Sequence, residues 1–174
     1  MLKQRNRGHS VLSVYPTKDG YAFVLFEAAL SPHDWGHKDI KKDVGCAKAI
    51  TSIKELMMRY RPDVLVMEDP DEHGTLRSIR AKRIHVGINA IANSLSIDVM
   101  VVKRKSVRST FAMEGALNKQ EIARLIGEKL EAFAPLVPKV REAWQTESRR
   151  MALFDAASRA LTYYYAMEGK NIKR

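Results

Sequence analysis

Two carboxylates stand in sequence that is otherwise apolar. Glu68 closes the run Val64-Leu65-Val66-Met67, and Asp155 lies inside Met151-Ala152-Leu153-Phe154-Asp155-Ala156-Ala157-Ser158. Acids brought together from a strand end and a late helix are the oxygen ligands that Mg²⁺ or Mn²⁺ takes, with water and a substrate phosphate completing the shell. Two such ions about 4 Å apart can activate water and stabilise the leaving oxygen in phosphodiester cleavage. Asp19, Asp69 and Glu147 are the further acids that would assist as metal ligands. Asp69 follows Glu68 directly, and neighbours on an extended chain face opposite sides. Glu147, eight residues before Asp155, would sit roughly 12 Å away along one helix. Plainer readings stand beside these. Residues 68–72 carry four acids in five positions, as a solvated loop does, and Asp155 with Arg159 at i and i+4 makes an ordinary helix pair.

The basic residues are as unevenly placed. The chain has 30 Lys and Arg against 20 Asp and Glu, a net charge of +10 over 174 residues. Between Arg77 and Arg108 there are eight basic residues and one acid, Asp98, a balance of 8 − 1 = +7. Arg77, Arg80 and Arg83 recur every third position beside Lys82, and Lys105 and Arg108 follow a strand end. A stripe of this kind can track phosphates, with an affinity that falls steeply with salt; a solvated helix face with no partner is the alternative. His73-Gly74 would give a flexible approach to the acidic loop.

Several classes are disfavoured. The single cysteine, Cys46, excludes an intrachain disulfide and a four-cysteine zinc site. The five histidines show no metal-ligand spacing, and neither standard glycine-rich phosphate loop is present. No run approaches the roughly 20 apolar residues of a membrane span, and the basic N-terminus is not followed by a signal-peptide core. A soluble, cytoplasmic protein is expected, with residues 1–174 as one domain.

The elements that must position these residues follow from periodicity. Val11–Tyr15 and Tyr21–Glu27 read as a hairpin around residues 16–20, with a third, edge strand within 30–40. Lys42–Tyr60 is an amphipathic helix with Asp43 as its N-cap. Val64–Met67 suits a strand buried on both faces. A helix over 75–95, a strand over 97–102, a helix over 118–133 and a last helical stretch over 139–167 complete the order. Asn118 with Glu121 approaches a capping box. Residues 103–108 read as a basic run without an element of their own. A leading hairpin followed by βαβ crossovers gives an α/β fold, a mixed central sheet with helices on both faces.

With order and motifs placed, residues 10–167 resemble the RuvC-type Holliday junction resolvases of the ribonuclease H-like superfamily. Val11-Leu12-Ser13-Val14-Tyr15-Pro16 looks like that family's first strand. Arg61-Pro62-Asp63-Val64-Leu65-Val66-Met67-Glu68 looks like the strand carrying its second carboxylate. Lys105-Ser106-Val107-Arg108 resembles a basic segment before the next helix, and Asn118-Lys119-Gln120 a helix start that carries a basic residue. Phe154-Asp155-Ala156-Ala157-Ser158-Arg159-Ala160-Leu161 looks like the closing acidic helix. The resemblance implies a three-layer ribonuclease H-like fold, Mg²⁺ or Mn²⁺ as cofactor, branched DNA as partner and a homodimer.

The departures shape the functional expectation. Tyr15 stands where the family has its first metal-binding Asp, and Ser158 where the last helix has a second acid. Of a four-carboxylate set only Glu68 and Asp155 remain as catalytic candidates. The resulting expectation is a nucleic-acid-binding protein on a RuvC-like fold with a reduced or lost nuclease site. It would hold branched or structured DNA through Arg77, Arg80, Lys82, Arg83, Lys105, Arg108 and Lys119. The alternatives are an active metal-dependent endonuclease, in which Asp19, Asp69 or Glu147 assists Glu68 and Asp155, and a non-catalytic scaffold.

Overall fold

The computed structural model describes residues 9–72 and 78–172. Arg77 and His73-Gly74 therefore lie outside the described residues. Five strands form one sheet in the order β3-β2-β1-β4-β5. β1 (Val11–Pro16) pairs antiparallel with β2 (Gly20–Ala28) and parallel with β4 (Val64–Glu68). β3 (Ser31–Asp39) forms one edge and β5 (Asp98–Val102), parallel to β4, the other. The edge strand expected within 30–40 is thus a full nine-residue strand.

Side-chain alternation sorts the strand residues between two cores. Leu12, Val14, Leu65 and Met67 face α1 (Ala47–Tyr60) and α2 (Ile79–Ser94), where Ile53, Met57, Ile84 and Ile88 are fully buried. Val11, Val64 and Val66 face the other layer, α3 (Arg104–Ala112), α4 (Lys119–Lys129) and α5 (Arg150–Ile172). Every residue of β4 is buried because helices cover both of its faces, which is why its sequence is a continuous apolar run. The α/β fold with a mixed sheet between two helical layers is as expected.

Several boundaries differ from the sequence-based expectation. The helix expected over 118–133 stops at Lys129, and residues 131–136 form a 3₁₀ turn around Pro135. α1 begins at Ala47, not near Lys42, because Gly45 and Cys46, within a 3₁₀ turn over Val44–Cys46, adopt left-handed conformations. Asp43 still serves the helix start, its carboxylate accepting from the backbone N–H groups of Lys48 (2.8 Å) and Ala49 (3.1 Å). Residues 104–112 form a helix of their own, α3, instead of a bare basic run. Its first N–H groups, those of Arg104 and Lys105, are taken by the carboxylate of Glu72 at 2.6 and 3.1 Å. Residues 137–149 are irregular and α5 starts only at Arg150.

Candidate functional site

The parity that builds the two cores also builds the site. Glu68 is in phase with Val64 and Val66, and Tyr15 with Val11 and Ser13, so both point to the α5 side of the sheet. The parallel register sets Val14 opposite Met67, which brings Tyr15 beside Glu68 at the C-terminal edge of the sheet. Ligand sites in open α/β sheets gather at that edge. α5 is pinned against β1 by Ser13, whose buried hydroxyl donates to the Ala156 carbonyl at 2.7 Å. Phe154, 1% exposed, packs edge-on against Phe133 and anchors the same turn.

α5 presents Asp155 and Arg159 to the strand ends. The Arg159 guanidinium donates to Glu68 Oε1 at 2.6 Å, with the two side chains 3% and 4% exposed. Its other terminal nitrogen donates to the Asp155 carbonyl at 2.7 Å and lies 3.6 Å from Asp155 Oδ1. Tyr15 covers the guanidinium, its ring centroid 4.9 Å away, in cation–π contact. Lys119, the first residue of α4, places its ammonium 3.0 Å from Asp155 Oδ2 and 3.0 Å from Glu147 Oε1. The Ser158 hydroxyl is turned back onto the Asp155 carbonyl at 3.1 Å.

The electrostatics follow from this packing. Burial pushes the Asp155 carboxyl above its ordinary value, against the opposing pull of Lys119 and Arg159. Burial works to lower the Lys119 ammonium, but Asp155, Tyr15 and Glu147 together outweigh it and hold the group above the ordinary lysine value. Lys119 is therefore a fixed cation at neutral pH.

These residues can be set against the needs of a divalent-ion centre. Such a centre takes several carboxylate oxygens that face a common point. Here Glu68 and Asp155 face one guanidinium and one ammonium. Arginine does not deprotonate in proteins, so an ion entering between these acids would meet a buried positive charge. Among the described residues, no group of three or more His, Cys, Asp or Glu side chains is placed to hold a metal ion. In this arrangement the donor set does not fit a two-ion centre.

The other candidate acids are dispersed. Asp69 is half-buried and accepts from the Asp71 N–H at 3.0 Å, away from Glu68 as alternation requires. Asp19 is exposed in the β1–β2 turn, on an open groove of about 440 Å³ that Tyr15, Glu147 and Asp155 also line. Glu147 is not on the Asp155 helix. It lies in the irregular segment before α5 and reaches the site through Lys119, so the spacing expected from one continuous helix does not apply.

A small cavity of about 70 Å³ opens beside the ion pairs, lined by Tyr15, Glu68, Asp155 and Arg159 from the sheet and α5. Arg104 and Arg108 from α3 and Lys119 from α4 also line it. Arg108 and Lys119 thus line the same cavity as the two carboxylates. Lys105 is exposed on α3 one residue from Arg104. The α2 residues lie elsewhere. Arg83 is exposed, and Lys82 is 3.8 Å from Asp71. Arg80 does not share their exposure: its guanidinium sits 3.4 Å from Asp43 with the side chain only 19% exposed, so it braces α1 against α2. Arg159 and Arg104 are the site residues that sequence reasoning passed over. An arginine among Ala157, Ser158, Ala160 and Leu161 was the available signal, since a buried guanidinium needs a carboxylate.

No family model matches the chain, and no curated protein matches it. Solved structures do. RuvC of T. thermophilus, in complex with a Holliday junction substrate, is 18% identical, with a TM-score of 0.66 over 92% of this chain and 96% of that one. The fold is RuvC-like. A second structure of Thermus thermophilus RuvC gives a TM-score of 0.65 at 17% identity, over the same shares of the two chains. The Fowlpox virus resolvase, in complex with its substrate Holliday junction DNA, is 15% identical with a TM-score of 0.56, over 90% of this chain and 99% of that one. Within that fold, Tyr15 and Glu68 lie at the C-terminal edge of the sheet and Asp155 faces them from α5. The identities of the side chains there are this chain's own.

Proposed function

We propose that this protein binds branched or structured DNA and that its metal-dependent nuclease activity is reduced or lost. The observation that carries the reading is the Arg159–Glu68 ion pair in the strand-end cleft, beside a wall of cationic side chains. A cleft of that charge attracts a phosphate backbone and repels a divalent cation. The similar structures of RuvC and the Fowlpox virus resolvase, each in complex with a Holliday junction, support branched DNA as the form of the partner. Lys105, Arg108 and Lys119 are the residues we assign to backbone contacts at the cleft, with Lys82 and Arg83 extending the surface along α2. A four-way junction has two-fold symmetry, so two copies of the chain acting together would suit it. Among the described residues no helix is long and apolar enough to cross a membrane.

The test is a labelled four-way junction and a matching duplex, each incubated with the protein in Mn²⁺ and in chelator, and read for band shift and cleavage. A junction-selective shift without cuts is expected. Metal-dependent cuts that vanish in Glu68→Gln would overturn the reading in favour of an active endonuclease, with Glu147 and Asp19 then the acids to examine. Equal binding of heparin would move the search to a scaffold role.

A further inference from the structure

The charge around the cavity is inverted relative to a metal site. Four cations line it, Arg104, Arg108, Lys119 and Arg159, against two carboxylates, Glu68 and Asp155, a balance of 4 − 2 = +2. Arg159 and Lys119 answer the two acids through the ion pairs described above. Arg104 and Arg108 lie one turn apart on α3, on one face, and form no ion pair with a described side chain. Nε of Arg159, a side chain 3% exposed, is buried with no acceptor in reach. A buried donor left without an acceptor is costly. An excess of guanidinium groups around a small pocket is the usual setting for an oxyanion. A water needs roughly 10–15 Å³ by the same measure, so about 70 Å³ admits several waters or one tetrahedral oxyanion.

We propose that this cavity is a phosphate receptor in which Arg104, Arg108 and Lys119 hold one phosphodiester directly, without a divalent ion, against the buried Arg159 guanidinium. The inference rests on the reading of DNA as partner and locates one backbone phosphate within it. Arg159 and Lys119 fix the two acids, and Arg104 and Arg108 supply the charge that neutralises the ligand. Guanidinium groups bind phosphate oxygens in a fixed fork, so the receptor sets where the strand crosses the sheet edge. Free phosphate shares this chemistry, and the experiment separates the two sources.

The protein is titrated in EDTA with inorganic phosphate and, separately, with a four-way junction, while the side-chain nitrogen resonances of Arg159 and Lys119 are followed by NMR. Saturable shifts of both resonances in both arms are expected, unchanged when Mg²⁺ replaces EDTA. Arg108→Gln is expected to weaken both ligands about tenfold. Arg124→Gln, on the exposed face of α4, should leave both as they were. Shifts that appear only with Mg²⁺ overturn the proposal. Junction binding with Arg159 unmoved overturns the receptor and leaves the DNA reading standing. Phosphate shifts without junction binding overturn the nucleic-acid source. No binding in either arm overturns both.

Discussion

A guanidinium with 3% of its side chain exposed must be neutralised within the fold, and Arg159 is neutralised by Glu68. Breaking a buried pair by removing one partner costs about 3–5 kcal/mol, because the other charge stays buried. Arg159→Met should lower stability by that order in urea unfolding, and Glu68→Gln in the same chain should restore much of it. Additive losses would mean that the two side chains do not act as a pair. Asp155 gives a pH-dependent prediction. Its folded pKa lies above the ordinary value of 3.8, so between those two values the folded chain holds a proton that the unfolded chain has lost. Stability therefore falls as pH rises from about 4 through the folded pKa. Lys119→Met removes a group that lowers that pKa, so the decline should extend to higher pH than in the parent. Urea midpoints measured from pH 4 to 7 check this, and parallel curves for the two proteins would refute it. Glu68 and Asp155 were legible as residues because acids are rare in apolar runs. That Arg159 reaches Glu68 was not legible, since its neighbour at i−4 already offered a satisfactory partner within the helix.

At the scale of elements, the site depends on where helices begin. Asn118 caps α4 by accepting from the Glu121 N–H at 3.0 Å, while Glu121 returns to the Leu117 N–H at 2.6 Å. The sequence spacing announced this cap, although the return bond falls one residue earlier than in the usual box. Asn118→Ala should cost about 1 kcal/mol, and because Lys119 is the first residue of α4, junction binding should weaken with it. A variant that loses stability but keeps full junction affinity would uncouple the cap from the site. α3 escaped sequence reading because it opens on two basic residues, Arg104 and Lys105, and its cap comes from Glu72, 32 residues earlier in the chain. The start of α5 was misplaced for the opposite reason. Residues 139–149 carry helix-compatible side chains, but Arg149 is bound to Asp39 on β3 and Glu147 to Lys119. Those tertiary contacts hold the segment out of the helix, and local propensity could not register them.

Across the whole molecule, the fold was the most legible feature, because hydrophobic period and strand order alone separate β4, covered on both faces, from the polar edge strand β3. The direction of the surface charges was less so. Arg80 and Arg83 look equivalent in sequence, yet only the second is free of the α1–α2 packing. Arg83→Glu should therefore reduce DNA affinity and leave stability unchanged, whereas Arg80→Glu should unfold the protein at lower urea, since it sets a carboxylate against Asp43. DNA affinity should also fall linearly with log salt, with a slope of about −0.9 per phosphate neutralised. The measurement that tests the central claim most directly is the dissociation constant for a four-way junction in EDTA and in excess Mn²⁺ at matched ionic strength. If side-chain cations hold the backbone where ions otherwise would, the two constants agree within about twofold. A tightening by Mn²⁺ of about tenfold or more, abolished by Glu68→Gln, would contradict it.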